Sequence, residues 1–281
     1  MKEQDKEGLY MNKIWLIASG KGGVGKSTVS ANLSAALCQM GKQVCIVDGD
    51  IGLRDQDVIL GLENNVVYDL LDVIKKNCEL DQALLPVPSV PGLSLLPAAQ
   101  FARVADLKAE KLGHVLTELK ASFDFVFVDC PAGMEKGLRN LMKIKPDAAI
   151  LVCTPDDVCI RNAERVSSLF AEKELARPYL IVNRLDPELI AASEQYSAGV
   201  VASTLDLPLL GELPEDRLIY RCQLNHVLFA ETEGEPRQAI RRIACRLKGE
   251  TVPFPAYGTE KKGFLSRVFG KKLKGVNPIG Q

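Results

Sequence analysis

The stretch "GKGGVGKS", residues 20–27, has the residue types and spacing of a phosphate-binding loop. Its glycines allow successive backbone N–H groups to turn toward phosphate oxygens, and the helix that follows adds the positive end of its dipole. In the pattern G-x-x-x-x-G-K-[ST], we expect Lys26 to reach the β- and γ-phosphates, Ser27 to bind Mg²⁺ and Thr28 to donate to the α-phosphate. The residues expected to contact the nucleotide here are Gly20, Lys21, Gly22, Gly23, Val24, Gly25, Lys26, Ser27 and Thr28.

Carboxylates follow two later apolar runs of the chain. Asp48 and Asp50 come at the end of "QVCIVDGD", and Asp129 closes "FDFVFVD". A nucleotide hydrolase must hold Mg²⁺ and orient an attacking water. We therefore assign Asp48 to outer-sphere contact with Mg²⁺, Asp50 to positioning the water, and Asp129 to the metal as a Walker-B-type carboxylate. The alternative for Asp129 is a strand-end aspartate that caps a turn.

Short apolar runs alternate with helical periodicity along the chain. The predicted strands are "KIWLIAS", "QVCIVDGD", "FDFVFVDC", "AAILVCTP", "PYLIVNR" and "LPLLGELP", with a first helix over residues 26–40 and a Pro-rich loop at "PVPSVPG". Strands that are apolar throughout indicate an α/β fold with a mainly parallel sheet and helices on both faces. In such sheets ligands bind beyond the carboxyl ends of the strands, which is where the loop and all three aspartates fall.

Composition narrows the class of protein. With 281 residues, of which 47% are hydrophobic, the chain can bury a full core. Its net charge of −1 gives no overall excess of positive charge of the kind that would favour binding to nucleic acid. Neither a secretory leader nor a run long enough to span a bilayer is recognisable, so we expect a protein that is neither secreted nor membrane-spanning. The eight cysteines include no C-x-x-C pair and are expected to be reduced, packed thiols.

The C-terminal segment has a composition of its own. In "EKKGFLSRVFGKKLKG" a single helical face carries Phe264, Leu265, Val268 and Phe269, and lysines and one arginine surround it. This pattern is typical of an amphipathic helix that lies on anionic lipid, although a solvated basic terminus or a helix docked in a protein groove has the same composition. We divide the chain into an N-terminal extension (1–12), a P-loop domain (13–249), a linker (250–260) and this tail (261–281).

The motifs "KGGVGKST", "VDGDIGLRDQD", "VDCPAG" and "LPED", in this order, resemble those of the MinD family of cell-division-site ATPases, within the ParA/MinD group of deviant Walker A proteins. The resemblance implies a single P-loop NTPase domain with a short C-terminal amphipathic helix, and hydrolysis of ATP with Mg²⁺. It implies that Lys21 reaches the phosphates of a partner in an ATP-dependent homodimer, so that Lys21, Lys26, Asp50 and Asp129 form the catalytic set. A solvated surface lysine is the alternative for Lys21.

The same resemblance extends to the adenine and to partners. It places Asn183, Arg184, Pro214 and Asp216 around the adenine, although an asparagine after a strand also suits a turn. It implies division-inhibitor and activator proteins as partners, no nucleic acid, and a cytoplasmic protein held peripherally on the inner face of the membrane. One departure is Asp55, an acid where the family commonly has asparagine, which adds negative charge near a triphosphate.

Several functions therefore compete at the level of sequence. The first is an ATPase that positions the division septum and cycles on and off the membrane with ATP binding and hydrolysis. The alternative is a flagellar-number or DNA-segregating ATPase of the same group, or a metabolic ATP-dependent enzyme of the same fold. DNA binding would need a basic patch, and outside the tail the dense cationic cluster is "RQAIRRIACRLK", residues 237–248.

Overall fold

The apolar runs form one eight-stranded sheet in the computed structural model, which describes residues 12–100, 107–133 and 136–255. The strands are β1 Lys13–Ser19, β2 Val44–Asp48, β3 Leu85–Pro86, β4 Leu93–Leu96, β5 Phe125–Asp129, β6 Ala148–Cys153, β7 Tyr179–Leu185 and β8 Leu209–Pro214. Their order across the sheet is β3-β4-β2-β5-β1-β6-β7-β8. Neighbours pair in parallel except β3 and β4, which are antiparallel.

Eleven α-helices within the described residues connect and cover the strands. They are α1 Lys26–Cys38, α2 Gln56–Ile59, α3 Leu70–Lys75, α4 Leu80–Ala83, α5 Ala109–Ser122, α6 Lys136–Leu141, α7 Asp157–Glu172, α8 Pro187–Ala191, α9 Ala198–Leu205, α10 Arg217–Leu224 and α11 Glu235–Leu247, with 3₁₀ turns at Met142–Ile144 and Phe229–Glu231. None of the helices described is long and apolar enough to cross a bilayer.

The core lies on both faces of the sheet. Every residue of β2, β5 and β6 is buried. Because successive strand residues point to opposite faces, both faces must be covered by helices, as the sequence predicts. Trp15, Phe125 and Phe127 are fully buried, and each apolar side chain of this size contributes about 1.5–3 kcal/mol to stability when it leaves water. The predicted fold class is confirmed.

Two local features differ from the sequence prediction. The first helix ends at Cys38 rather than at residue 40, and Gly41 follows with a φ of +79° that favours glycine. The sequence analysis also missed the edge hairpin of β3 and β4, since a two-residue strand leaves no periodic signal. The loop predicted at residues 86–92 connects these two strands.

The segment predicted as a linker begins against the domain. Arg246 of α11 donates hydrogen bonds to the carbonyl oxygens of Val252 (3.0 Å) and Pro253 (2.9 Å), and its guanidinium lies 3.8 Å from the centre of the Phe254 ring. Residues 252–254 therefore contact Arg246 near the C-terminal end of α11, and the same arginine also donates to the carbonyl oxygen of Leu210 in β8. The tail face of Phe264, Leu265, Val268 and Phe269 lies outside the described residues.

Candidate nucleotide-binding site

The phosphate-binding loop joins the end of β1 to the start of α1. Gly25 has a φ of +90°, and a Cβ at this position would lie 2.5 Å from the Nδ2 atom of Asn183. A Cβ at Gly20 would lie 2.5 Å from the backbone of Asn162 in α7. Only glycine satisfies both constraints, so the loop can pack this closely and still turn its N–H groups toward a ligand at the helix N-terminus.

Lys26, Ser27 and Asp129 meet behind this loop. The Nζ atom of Lys26 lies 2.7 Å from Oδ1 of Asp129 and 3.1 Å from Oγ of Ser27. Lys26 is 6% exposed and Asp129 is 1% exposed, so this is a buried ion pair. Burial alone would lower the pKa of Lys26, but the charge of Asp129 and the hydrogen bond to it raise that pKa above its usual value. Lys26 therefore remains a cation.

Asp48 lies beside Asp129, because these two residues are paired in the register of β2 and β5. Its Oδ1 accepts from the backbone N–H of Asp50 (3.0 Å) and its Oδ2 from that of Gln56 (3.2 Å). Burial and then the neighbouring charge of Asp129 raise the pKa of Asp48 to about 7, against the lowering effect of the two N–H donors. This side of the site is thus a buried cluster with more carboxylates than cations.

These residues fit a bound Mg²⁺ ion. A hydroxyl oxygen of Ser27 and a carboxylate oxygen of Asp129 already lie within hydrogen-bond distance of one ammonium group, which shows that both can face a single cation. Oxygen donors of this kind are those that Mg²⁺ prefers. The adjacent Asp48, whose pKa is raised to about 7 by burial and by the charge of Asp129, would supply further negative charge to a divalent cation once it is ionised.

The main cleft in front of the loop has a volume of about 510 Å³. The residues that line it are Ser19, Gly22, Gly23, Gly25, Lys26, Ser27, Thr28, Asp50, Leu53, Arg54, Asp55, Val58, Ile59, Ala132, Arg184 and Gln223, whereas Val24 of the loop is buried and does not. Asp50 is 9% exposed and lies beyond the end of β2, facing the cleft. Asp55, the acid at a position where the family commonly has asparagine, lines the same cleft beside Arg54. The Nε atom of Arg54 lies 2.7 Å from Oδ2 of Asp57.

Lys21 is placed differently from the rest of the loop. It is exposed and does not line the cleft. Its backbone carbonyl accepts from Ser19 Oγ (3.1 Å), while its charge acts on Asp156 at the start of α7. Burial alone would raise the pKa of Asp156, but hydrogen bonds from Thr154 and Cys159 and then the charge of Lys21 lower it below its usual value. The second lysine therefore lies outside the cleft, where its charge acts on the N-terminal end of α7.

A smaller cavity of about 120 Å³ adjoins the cleft and shares Gly25, Thr28, Arg184 and Gln223 with it. The four residues predicted to surround the adenine, Asn183, Arg184, Pro214 and Asp216, all line this cavity. Asn183 donates from Nδ2 to the carbonyl oxygen of Val24 (2.8 Å), which keeps its Oδ1 on the opposite side of the amide. Asp216 also caps α10, since its Oδ1 accepts from the N–H of Leu218 at 2.8 Å.

Several lining residues were missed by the sequence analysis. Ile219, Tyr220 and Phe229 also line the smaller cavity, and Gln223 donates from Nε2 to Thr28 Oγ1 at 3.0 Å. These residues sit on or after α10, far along the chain from the loop, and no local motif marks them. Gln56, which contacts both Ser27 and Asp129, was missed as well.

Comparison with known proteins agrees with this geometry. A family model described as ParA, NUBPL iron-transfer P-loop NTPase, matches residues 10–248. The septum site-determining protein MinD of Synechocystis is 39% identical over 267 residues, covering 94% of this chain and 100% of that protein. The chain belongs to the MinD family. It is therefore a P-loop NTPase with ATPase activity, as the motifs predict.

Solved structures of MinD proteins have the same fold. The MinC:MinD cell division protein complex of Aquifex aeolicus matches with a TM-score of 0.80 and 34% identity, covering 88% of this chain and 100% of that one. The MinD of Pyrococcus horikoshii, complexed with Mg-ADP, matches with a TM-score of 0.75 and 31% identity, covering 84% and 95%. That MinD relative thus binds magnesium and ADP, the kinds of ligand that the sequence of this chain predicts.

Proposed function

We propose that this MinD-family chain is an ATPase that positions the division septum by dimerising on ATP, attaching to the membrane through its tail and detaching after hydrolysis. The observation that carries the proposal is that the two lysines of the loop occupy different environments. Lys26 is buried against Asp129 within the site, whereas Lys21 is exposed at the mouth of the loop and outside the cleft. A lysine so placed can contact a nucleotide held by a second subunit.

The buried residues of the site suit phosphoryl transfer. Lys26 would exchange its bond to Asp129 for the β- and γ-phosphate oxygens, and the loop N–H groups would hold the remaining charge. Ser27 and Asp129 would hold Mg²⁺, with Asp48 in outer-sphere contact, and the ion would neutralise charge that develops on the β- and γ-oxygens. Asp50 faces the cleft, where it would orient a water toward the γ-phosphorus, so that the bond to the ADP oxygen breaks as the new P–O bond forms.

Adenine recognition would depend on the four predicted residues. The Nδ2 group of Asn183 donates to the carbonyl oxygen of Val24, so Oδ1 is the atom that would accept a hydrogen bond from the adenine amino group. Arg184 and Pro214 would flank the ring system in the cavity that they line. These roles connect the base to the loop itself, because Asn183 also fixes the loop carbonyl beside Gly25.

The tail would convert dimerisation into membrane attachment. One short apolar face, made of Phe264, Leu265, Val268 and Phe269, should bind anionic lipid weakly. Two tails in one dimer act at a high effective concentration and bind much more strongly. The similarity to a MinC:MinD complex supports a division-inhibitor protein as a partner, with an activator protein that stimulates hydrolysis and release. The protein would then be cytoplasmic and peripheral on the inner membrane face.

The basic cluster of residues 237–248 gives little support to the DNA-segregating alternative. In α11 and the turn after it, Arg237 pairs with Glu233, Arg242 with Glu235 and Lys248 with Glu250. Arg246 is committed to backbone carbonyls and to Phe254. Three of the five cations in this cluster are paired with carboxylates, and Arg246 is held by neutral groups, so we propose no nucleic-acid partner for this surface.

Light scattering with a non-hydrolysable ATP analogue tests the dimer. The parent chain should shift from its mass of 30.7 kDa to twice that value, and Lys21→Ala should remain monomeric while still binding the analogue. Lys173→Ala is the matched control, because Lys173 is an exposed lysine at the opposite end of α7. A normal analogue-dependent dimer of Lys21→Ala would show that Lys21 is only a solvated surface residue.

A further inference from the structure

Gln56 is a buried amide at the centre of the site. It is the first residue of α2, in the stretch "DIGLRDQD", and it is 0% exposed. Its neighbours in space are the carboxylates of Asp48 and Asp129 and the backbone of Ser27. Polar side chains are rarely buried so completely unless their hydrogen bonds matter to the structure or to the chemistry.

The hydrogen bonds fix the orientation of this amide. The Nε2 atom donates to Oδ2 of Asp129 at 2.7 Å and to the carbonyl oxygen of Ser27 at 3.2 Å. Both of these partners are acceptors, so the NH₂ group must face them and the Oε1 atom must face the other way. The backbone N–H of Gln56 donates to Oδ2 of Asp48 at 3.2 Å. One residue thus ties the start of α2 to two carboxylates and to the phosphate-binding loop.

The Oε1 atom of Gln56 is buried and accepts no hydrogen bond from the described part of the chain. A buried carbonyl oxygen without a donor is unfavourable, and native proteins satisfy most such atoms with protein groups or ordered water. An amide placed here only to fasten α2 would leave this oxygen unused. The free acceptor, next to two carboxylates, fits an ordered water molecule of a metal site.

Asp129 is held from two sides. Lys26 occupies its Oδ1, and Gln56 occupies its Oδ2. When Lys26 turns to phosphate, the bond from Gln56 keeps the carboxylate plane in place, because its own anchor on the Ser27 carbonyl does not depend on the lysine. Groups that orient metal-binding carboxylates in this way commonly change metal affinity when they are removed.

We propose that Gln56 is a positioning residue for magnesium: it orients Asp129 for the ion and offers its Oε1 atom to an ordered water of the same site. The inference rests on the metal-binding role proposed above for Asp129. It adds a residue that the phosphate-binding motif does not contain, and it makes the start of α2, next to Asp50 and Asp55 in the cleft wall, part of the metal site.

The test compares fluorescent ADP binding in EDTA and in Mg²⁺. Gln56→Met keeps the unbranched shape and removes the amide. The dissociation constant in EDTA divided by that in Mg²⁺ should fall about tenfold in this variant. ADP affinity in EDTA should change much less, since Gln56 does not itself line the cleft and contacts the phosphate-binding loop only through one hydrogen bond to the Ser27 carbonyl. Gln56→Asn, one methylene too short to reach Asp129, should behave similarly. Mn²⁺ titration followed by electron paramagnetic resonance should show the same loss of metal affinity.

The control variants separate the possible failures. Gln39→Met removes an amide-to-carbonyl bond to Ala230 (3.0 Å) outside the site and should keep the parent ratio. Asp129→Asn should abolish the Mg²⁺ dependence, and if it does not, the proposed metal site itself is wrong. If Asp129→Asn abolishes it while both Gln56 variants keep the parent ratio, the role of Gln56 is refuted and the metal site stands. Equal weakening in EDTA and in Mg²⁺ would also refute it, since that indicates a purely structural role.

A measurement on the parent chain needs no substitution. The side-chain NH₂ resonances of Gln56, assigned through bonds in a ¹⁵N spectrum of the ADP complex, should shift when Mg²⁺ is added and return when EDTA removes it. If these resonances did not shift on addition of Mg²⁺, the proposal would be overturned, even if the Gln56 variants failed to fold.

Discussion

The substitution Asp48→Asn should remove a large part of the pH dependence of stability in the nucleotide-free protein. Asp48 is 1% exposed, and burial beside Asp129 raises its pKa from 3.8 to about 7. Between these two pH values the folded protein keeps a proton that the unfolded chain has lost. The raised pKa therefore lowers stability progressively as pH rises from about 4 to about 7, and the full cost persists above pH 7.

The magnitude follows from linkage. Each unit of pKa corresponds to about 1.4 kcal/mol, so the ionised Asp48 costs the folded state about 4 kcal/mol at high pH. About 2.5 kcal/mol of this destabilisation develops between pH 5 and pH 8. Glu212 of β8 offers a matched comparison, because it is 7% exposed and burial raises its pKa from 4.5 to about 7. Glu212→Gln should remove a similar amount over the same pH interval.

Urea unfolding at pH 5 and pH 8 measures this difference for the parent, Asp48→Asn and Glu212→Gln, each in EDTA and in Mg²⁺ with ADP. In EDTA both variants should show a smaller loss of stability at pH 8 than the parent. Bound Mg²⁺ favours the ionised carboxylate of Asp48. In Mg²⁺ with ADP, the loss of stability between pH 5 and pH 8 should therefore be nearly the same in Asp48→Asn as in the parent, while Glu212→Gln should still lose less than the parent. An Asp48→Asn variant with the full parental pH dependence in EDTA would refute the reasoning.

Two further substitutions test the proposed roles in the site. Lys26→Ala removes a charge-assisted contact worth about 1.5–3 kcal/mol, so ATP binding measured by calorimetry should weaken by about 10- to 150-fold; unchanged affinity and turnover would contradict the assignment. Asp50→Ala should keep ATP binding and lower hydrolysis by about 10²- to 10⁴-fold in a phosphate-release assay, leaving a persistent dimer. Hydrolysis at the parent rate would move the water-positioning role to another carboxylate.

Much of the fold was predictable because its signals are local. The runs "FVFVD" and "AAILVC" form β5 and β6 as expected, since uninterrupted apolar strands can be satisfied only inside a covered parallel sheet. The phosphate-binding loop was equally clear from its glycines. Asp48 and Asp129 were found because carboxyl ends of parallel strands meet at one edge, and the two do pair in the register of β2 and β5.

Long-range contacts were not predictable from the sequence. The bond from Lys26 to Asp129 spans 103 positions, and that from Gln223 to Thr28 spans 195, so both depend on how strands and helices are ordered in space. Gln56 stands in a polar stretch where its burial leaves no mark in the residue pattern. The edge strand β3 has two residues, too few for an alternating pattern.

Co-sedimentation with lipid vesicles tests the central claim, a nucleotide-controlled membrane switch, most directly. Full-length protein with ATP should sediment with anionic vesicles much more than with ADP or with neutral vesicles, and binding should fall as salt rises. Removal of residues 261–281 should abolish sedimentation without affecting dimerisation, and Phe264→Glu should do the same because it places a charge where the helix must enter the acyl chains, whereas Phe264→Leu should retain binding. Equal sedimentation with ATP and ADP, or unimpaired sedimentation of the truncated chain, would contradict the account.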